Sequence, residues 1–518
     1  MRKIRILWTD DEIEDLKSHI FFLTEKGYDI DTCSNGTDTI ELIKKNNYDL
    51  LFLDENMPGL SGLETLKIIK EIRPEIPIIM ITKSEAEEIM DSAIGSAIAD
   101  YLIKPVKPNQ ILLAIKKNLD QKRLVTEKTT SGYQQEFGRI DNMISNARTF
   151  NDWTELFKKL VFWETELEKS TDPGMNEILN TQEAEANNAF SKYISANYLN
   201  WFGNDTVEKP LLSPALMSRK VFPEVKDKRP VFFILIDNLR FDQWKTISAE
   251  LSEFYRTIEE ELYLSILPTA TQYSRNAIFA GLMPSAIYES MPEYWKNDDD
   301  EEGKNQFEEK LLDRQISRNG LKYIWTYDKI GSNLEGKKVI AKMKTLLKND
   351  LNVLVYNFVD MLSHARTDIG LIRDLANDER AYRSLTRSWF LHSSLFDLLK
   401  LLSKQKIKII LTTDHGTIRV QNPVKVLGDR QTSSNLRYKT GKNLDYDSGS
   451  VFEIKNPEKA HLPKVNLSSR YIFATNKDFL VYPNNYNYFA NYYKDTFQHG
   501  GISMHEMMIP IITLEPLS

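Results

Sequence analysis

The chain has 518 residues, with 67 Lys+Arg against 74 Asp+Glu and a formal net charge of −7. At about 150 residues per domain this is material for about three domains, and 41% hydrophobic with 27% charged residues is an ordinary globular balance. The acidic excess argues against non-specific duplex DNA binding, which needs a basic footprint. The single cysteine, Cys33, excludes an intramolecular disulfide framework and points to a reducing, cytoplasmic setting. No stretch approaches the ~20 apolar residues of a membrane span, and the apolar run at the N-terminus is too short for a signal peptide.

Residues 1–122 alternate short apolar runs with helical patterns. Ile4–Thr9, Leu50–Leu53, Ile76–Ile81 and Tyr101–Ile103 read as buried strands; Ile13–Lys26, Thr37–Asn46, Gly62–Ile72 and Pro108–Asn118 read as the helices between them. Such alternation predicts an α/β fold with a doubly wound parallel sheet covered on both faces. Over 123–205 apolar residues recur every three or four positions, among them Ile140, Phe150, Trp153, Phe157 and Leu160. This is the stripe of a helical connector with its aromatics in a core. Asp172-Pro173-Gly174 predicts a turn between its helices. Residues 206–518 return to a larger α/β pattern, in which Val231–Asp237, Val353–Asp360 and Ile407–Asp414 each end an apolar run in Asp. The acidic run 298–302 reads as a solvated loop.

Asp10 and Asp11 follow the first strand and Asp54 closes the run from Leu50. Strand C-termini of a doubly wound sheet share one edge, so the three carboxylates can form one site, and their repulsion calls for a hard divalent cation such as Mg²⁺. Thr82 and Lys104 end two further strands and offer a hydroxyl and an ammonium to phosphoryl oxygens. Residues 1–122 resemble the response-regulator receiver domain on Asp10-Asp11, Asp54-Glu55-Asn56-Met57-Pro58-Gly59, Thr82 and Lys104-Pro105. The resemblance implies that Asp54 accepts a phosphoryl group from a sensor histidine kinase. Mg²⁺ would be held by Asp10, Asp11, Asp54 and the Asn56 carbonyl, with Thr82, Tyr101 and Lys104 as the switch.

In the C-terminal part, Asp360 and His364 lie four apart, one helical turn. Asp414-His415 stands before Gly416, His499 before Gly500-Gly501, and Asp237 ends a strand. Imidazole and carboxylate suit zinc, and two zinc ions would use most of this set. Thr271 opens a helical pattern after Leu262–Leu267, where a metal and the helix dipole would both favour an oxyanion. In chain order these residues resemble the alkaline phosphatase superfamily, and the Gly500–Ser503 and Glu506…Pro510 context resembles its PglZ branch. That resemblance implies one zinc on Asp360, His364 and His499, the other on Asp237, Thr271, Asp414 and His415, and Thr271 as nucleophile, with Thr269 the weaker candidate.

A receiver, a helical connector and a PglZ domain in series resemble a family of response regulators associated with type IX secretion. This implies a zinc phosphodiesterase acting on cyclic and linear oligonucleotides, and a homodimer formed on phosphorylation. Arg275 and Asn276 beside Thr271, and the basic loop with Arg430, Arg437, Tyr438, Lys439 and Lys442, are candidate substrate contacts. His19, His392, His461 and His505 read as structural, with His392 between layers. The rival reading is a phosphorylation-gated module that binds a sigma factor or secretion component without essential catalysis.

Overall fold

The computed structural model describes residues 4–83, 98–169, 173–203, 209–227, 229–297, 305–368, 378–428, 432–447, 449–464 and 468–517, without the side chains of 120–128, 173, 226–227 and 364–368. The chain forms two compact units, Met1–Gln134 with Lys169–Asp172, and Gln135–Glu168 with Pro173–Ser518. The acidic run expected at 298–302 lies outside the described residues.

The first unit is built on five parallel strands, β1 (Arg5–Thr9), β2 (Asp29–Cys33), β3 (Leu50–Asp54), β4 (Ile78–Thr82) and β5 (Asp100–Ile103), in the order β2-β1-β3-β4-β5. Alternate residues face opposite sides, as the period of two requires. Leu7, Leu51, Leu53, Ile78 and Met80 pack on Ile40, Ile43, Leu66 and Ile69 of helices Gly36–Lys45 and Gly62–Ile72. Ile6, Trp8, Leu50, Phe52, Ile79 and Ile81 pack the other way, on Leu23, Ile111 and Ile115. Because β3 is buried on both faces, its strand reads as an unbroken apolar run. Strand β2 has the pattern DIDTC, with only Cys33 buried, which left no apolar run to find.

Helix Gly62–Ile72 starts where expected because Ser61 and Glu64 close a capping box. Helix Pro108–Asn146, by contrast, runs 39 residues, far past the expected end at Asn118. It contains no proline after its first residue, and its two glycines, Gly132 and Gly138, lie well past Asn118, so nothing in the chain stops it there.

In the second unit helices Phe150–Leu167 and Pro173–Asn197 form the connector's core. Trp153 is 1% exposed, with its ring 5.4 Å from Phe190. Phe157 packs on Phe241 and His505 of the α/β part, at 6.0 and 5.2 Å. The α/β part holds a six-stranded sheet of β6 (Val231–Ile236), β7 (Tyr255–Leu264), β8 (Trp325–Ile330), β9 (Leu351–Tyr356), β10 (Ile409–Thr412) and a last strand, Met508–Pro516. Its order is β7, the last strand, β10, β6, β9, β8. Neighbours from β10 to β8 are parallel, and the last strand is antiparallel to both β10 and β7. The carboxyl ends of β6, β7, β9 and β10 therefore meet at one edge. Three small sheets over 418–498 add loops to the same part.

Two expectations shift. The run Val353–Asp360 is a strand only to Tyr356, and Asp360 sits in the first turn of helix Phe358–Asp368. His392 is exposed, with Nδ1 2.7 Å from the Ser388 carbonyl, rather than packed between layers.

Candidate metal centres and active site

In the first unit Asp10, Asp11 and Asp54 bring one carboxylate oxygen each within 4.8 Å of one another. Lys104 enters from beyond β5, with Nζ 2.9 Å from Asp10 Oδ2 and 3.0 Å from Asp54 Oδ1. Burial pushes the Asp54 carboxyl up to about 6, against the pull of Lys104 and with Asp10 and Asp11 adding to the rise. Carboxylates that crowd in this way are relieved by a bound cation. Asp11 and Asn56 are exposed, so the cluster opens to solvent on one side. The Thr82 hydroxyl donates to the Glu55 carboxylate, and Tyr101 is 41% exposed. Glu55, nearly buried, is a partner of Thr82 that the motif itself did not single out.

In the second unit Asp237, Asp414 and His415 bring ligand atoms within 4.8 Å of one another. Asp237 follows β6 directly, and Asp414-His415 stands two residues past β10. The Thr271 hydroxyl, at the first position of helix Thr271–Ala280, is 3.0 Å from His415 Nε2. His415 Nδ1 lies 3.1 Å from the Gly416 carbonyl and His499 Nδ1 3.1 Å from that of Thr269. Nδ1–H bonded to a carbonyl makes Nε2 the lone-pair nitrogen, the arrangement seen in metal-binding imidazoles. The two rings stack at 4.3 Å. His499 Nε2 is 3.9 Å from Asp360 Oδ1, and Asn238 Nδ2 donates to that same oxygen at 3.3 Å.

Asp237 Oδ1 is buried without a hydrogen-bond partner, 3.8 Å from His415 Nε2. A buried carboxylate oxygen left open beside an imidazole lone pair is costly unless a cation fills the gap, so the donor set fits a divalent metal. Burial pushes the Asp237 carboxyl well up, opposed by Arg275 and reinforced by Asp414. Asp414 is also pushed up by burial, but Arg275 and His415 together hold it below the usual carboxylate range. His364 belongs to helix Phe358–Asp368, and its side chain lies outside the described residues.

The glycines beside His499 have a reason. Gly500 has φ 121°, and a Cβ there would stand 2.6 Å from Tyr438 Cδ1, so only glycine lets that loop reach the site. Thr269, the weaker nucleophile candidate, is fully buried and ties this loop, accepting from Gly500 N and donating to the Gly501 carbonyl at 3.0 Å each.

A cavity of about 260 Å³ opens over the site. Thr271, Asp360, His499 and Tyr438 line it, with Gln272, Asn305 and the loop Ser433-Ser434-Asn435.

The basic residues do not reach it. Arg275 is 1% exposed and its guanidinium pairs with Asp237 and Asp414, so it is no phosphate contact here. Arg437 is fully buried and saturated by Glu506 and by the carbonyls of Thr475, Asp478 and Ile502; it is a strut, because a buried guanidinium needs every donor occupied. Lys439 alternates with Tyr438 along its strand and is 1% exposed, with Nζ 4.3 Å from the Tyr482 ring centre. Burial lowers its ammonium to about 7. Lys442 is half-buried and Asn276 buried, neither lining the cavity; Arg430 lies outside the described residues. Sequence spacing missed Asn238, whose φ of 63° turns the chain after Asp237. An Asn after a strand-end Asp was the available signal. It also missed Glu308, whose Oε1 lies 3.6 Å from Arg275 Nη1; that link spans more than thirty residues and leaves no local pattern.

Three family models match the chain in order: the response regulator receiver domain at residues 6–116, the PorX response regulator linker domain at 123–202, and the BREX system PglZ alkaline phosphatase-like domain at 216–514. The transcriptional regulatory protein ZraR of Klebsiella oxytoca is 28% identical over 152 residues, 29% of this chain and 34% of that protein. The alginate biosynthesis transcriptional regulatory protein AlgB of Pseudomonas syringae is 32% identical over 120 residues, 23% of this chain and 27% of that protein. The chain thus spans about a third or less of these curated relatives. A CheY-like receiver domain structure from Methanospirillum hungatei is 28% identical and covers 23% of this chain and 96% of its own, with a TM-score of 0.23. A receiver implies a phosphodonor such as a histidine kinase, and among the described residues no helix is long and apolar enough to cross a membrane. With receiver, linker and output domains in this order the architecture is PorX-like, and because the third model covers more than half of its residues, the chain belongs to the PglZ alkaline phosphatase-like family.

Proposed function

We propose that this chain is a two-component response regulator, phosphorylated on Asp54, whose output domain is a zinc-dependent phosphodiesterase for cyclic and linear oligonucleotides in the control of type IX secretion. The observation that carries the catalytic part is the Thr271 hydroxyl at 3.0 Å from His415 Nε2 on the floor of an open cavity. Asp237, Asp414 and His415 would hold one zinc together with Thr271, and Asp360, His499 and His364 the other. Metals bound there supply Lewis acidity, lowering the pKa of a hydroxyl and offsetting charge on phosphoryl oxygens.

The chain's own residues do the rest. The helix N-terminus favours negative charge on the Thr271 oxygen, which gives up its proton to solvent and forms a bond to phosphorus as the ester bond to the leaving oxygen breaks; that oxygen leaves with a proton from solvent. Water then attacks the phosphothreonine diester, the Thr271 O–P bond breaks, and the hydroxyl recovers its proton. His415 and His499 are oriented for this by their Nδ1 contacts, and Asn238 fixes Asp360. Tyr438 and the hydroxyl and amide groups of 433–435 form a neutral wall suited to a singly charged diester and a base or sugar. A doubly charged monoester would favour free cations, and the nearest buried guanidinium, Arg275, is committed to carboxylates.

The test uses the full chain. Metal analysis should give close to two zincs per chain, and an activated phosphodiester should be cleaved faster than the matching monoester, with chelation abolishing and zinc restoring the reaction. Zinc-loaded protein inert towards diesters would instead favour the interaction-module reading.

A further inference from the structure

Arg275 lies one helical turn after Thr271 and is 1% exposed. Its Nε is 3.0 Å from Asp414 Oδ2 and its Nη2 pairs with Asp237 Oδ2, while Nη1 is 3.6 Å from Glu308 Oε1 and 3.5 Å from Asn357 Oδ1. One guanidinium fork therefore spans the two carboxylates of one metal position. On Asp237 it uses one oxygen and leaves the other, Oδ1, open towards His415. Glu308 is 2% exposed and is shared with Lys329, 3.0 Å away.

Three buried carboxylates this close would repel one another and resist ionisation if nothing neutralised them. The arginine supplies that charge from the side opposite the open oxygen. A divalent ion entering beside it meets a like charge only a few ångström off, in a region where water screens little.

We propose that Arg275 is the built-in counter-cation of this site, holding Asp237 and Asp414 in ligand position before any metal arrives and then competing with the metal for their charge. The inference rests on the metallophosphoesterase reading above. Two consequences separate it from a plain structural ion pair. Removing the guanidinium tightens metal binding, because the full carboxylate charge falls to the metal. It also slows turnover, because ligands that give more charge to the metal leave it a weaker Lewis acid. A plain strut, once removed, would loosen the site and weaken metal binding.

The experiment measures zinc affinity of the full chain by competition with a chelator of known affinity, beside thermal unfolding of the metal-free and zinc-loaded forms. Arg275→Met is expected to bind zinc at least about tenfold more tightly, to lose thermal stability mainly in the metal-free form, and to turn over more slowly. Glu308→Gln, nearly isosteric, removes a negative charge and leaves Arg275 more fully to the aspartates, so zinc binding weakens several-fold. A folded Arg275→Met with unchanged or weaker zinc binding overturns the proposal. If that variant does not fold, Glu308→Gln binding zinc as tightly as wild type or tighter does so. Wild type that binds zinc but cleaves no diester overturns the enzymatic reading alone, because this comparison is read in affinity; wild type that binds no zinc overturns both.

Discussion

Both units gather three acidic or imidazole side chains at the carboxyl ends of parallel strands and set one cation beside them, yet the two clusters suit different ions. In the first, Asp11 and Asn56 are exposed and the cation, Lys104, has a side chain 14% exposed. Such a site keeps water on the ion, as magnesium prefers. In the second, Asp414 and His415 are fully buried and Asp237 is 3% exposed, and the cation is a buried arginine on the helix that begins with Thr271. Nitrogen ligands, closure and a hydroxyl at the rim suit zinc and bond-making chemistry. An Asp at a strand end does not by itself name its ion. Its neighbours do, through exposure and the presence of imidazole.

The largest expected effect breaks the first cluster: Asp54→Asn should abolish phosphoryl incorporation from a small-molecule phosphodonor, read as label on the intact protein, while zinc content stays unchanged. Incorporation at the wild-type level would move the acceptor elsewhere.

In the second cluster His499→Ala removes a ring that stacks on His415 and faces Asp360. One zinc per chain should be lost and diester hydrolysis should fall at least about 100-fold. Two zincs retained by metal analysis would remove His499 from the ligand set.

Lys104→Met is the first cluster's counterpart of Arg275→Met. It withdraws the cation from Asp10 and Asp54 as Arg275→Met does from Asp237 and Asp414, so calorimetric titration should give tighter Mg²⁺ binding. The gain should be only a few-fold, smaller than for Arg275, because charges nearer solvent are better screened.

The smallest effect concerns Lys439. Burial holds its ammonium at about 7 in the folded chain against an ordinary 10.5, so between those values the unfolded state binds the extra proton. The stabilising contribution is then present above 10.5 and lost as pH falls towards 7. Lys439→Met should remove a slope of up to ~1.4 kcal/mol per pH unit, seen in denaturant unfolding between these values. A slope unchanged by the substitution would mean that the amine stays charged.

The sheets were legible because β3, β6 and β9 are buried on both faces and read as unbroken apolar runs. Strand β2 and the 39-residue helix were not, the first because Asp29 and Asp31 break up its apolar run, the second because no proline interrupts the helix after its first residue. Within the candidate site Asp237, Asp414 and His415 converge as their strand-end positions suggested, and Thr271 and His499 join them from a helix start and a glycine-flanked loop. The roles of the arginines were not readable, since a charged side chain beside a nucleophile looks the same in sequence whether it faces substrate or an internal carboxylate. Arg275 and Arg437 both turned inward, each because a buried acid, Asp237 with Asp414 or Glu506, needed its charge.

The most direct test of the account is Thr271→Val, nearly the same shape without the hydroxyl, assayed for zinc content and diester cleavage in the same preparation. The account predicts close to two zincs and a rate lowered at least about 1,000-fold. Two zincs with wild-type cleavage would contradict it, because the bond to phosphorus would then be made by another group.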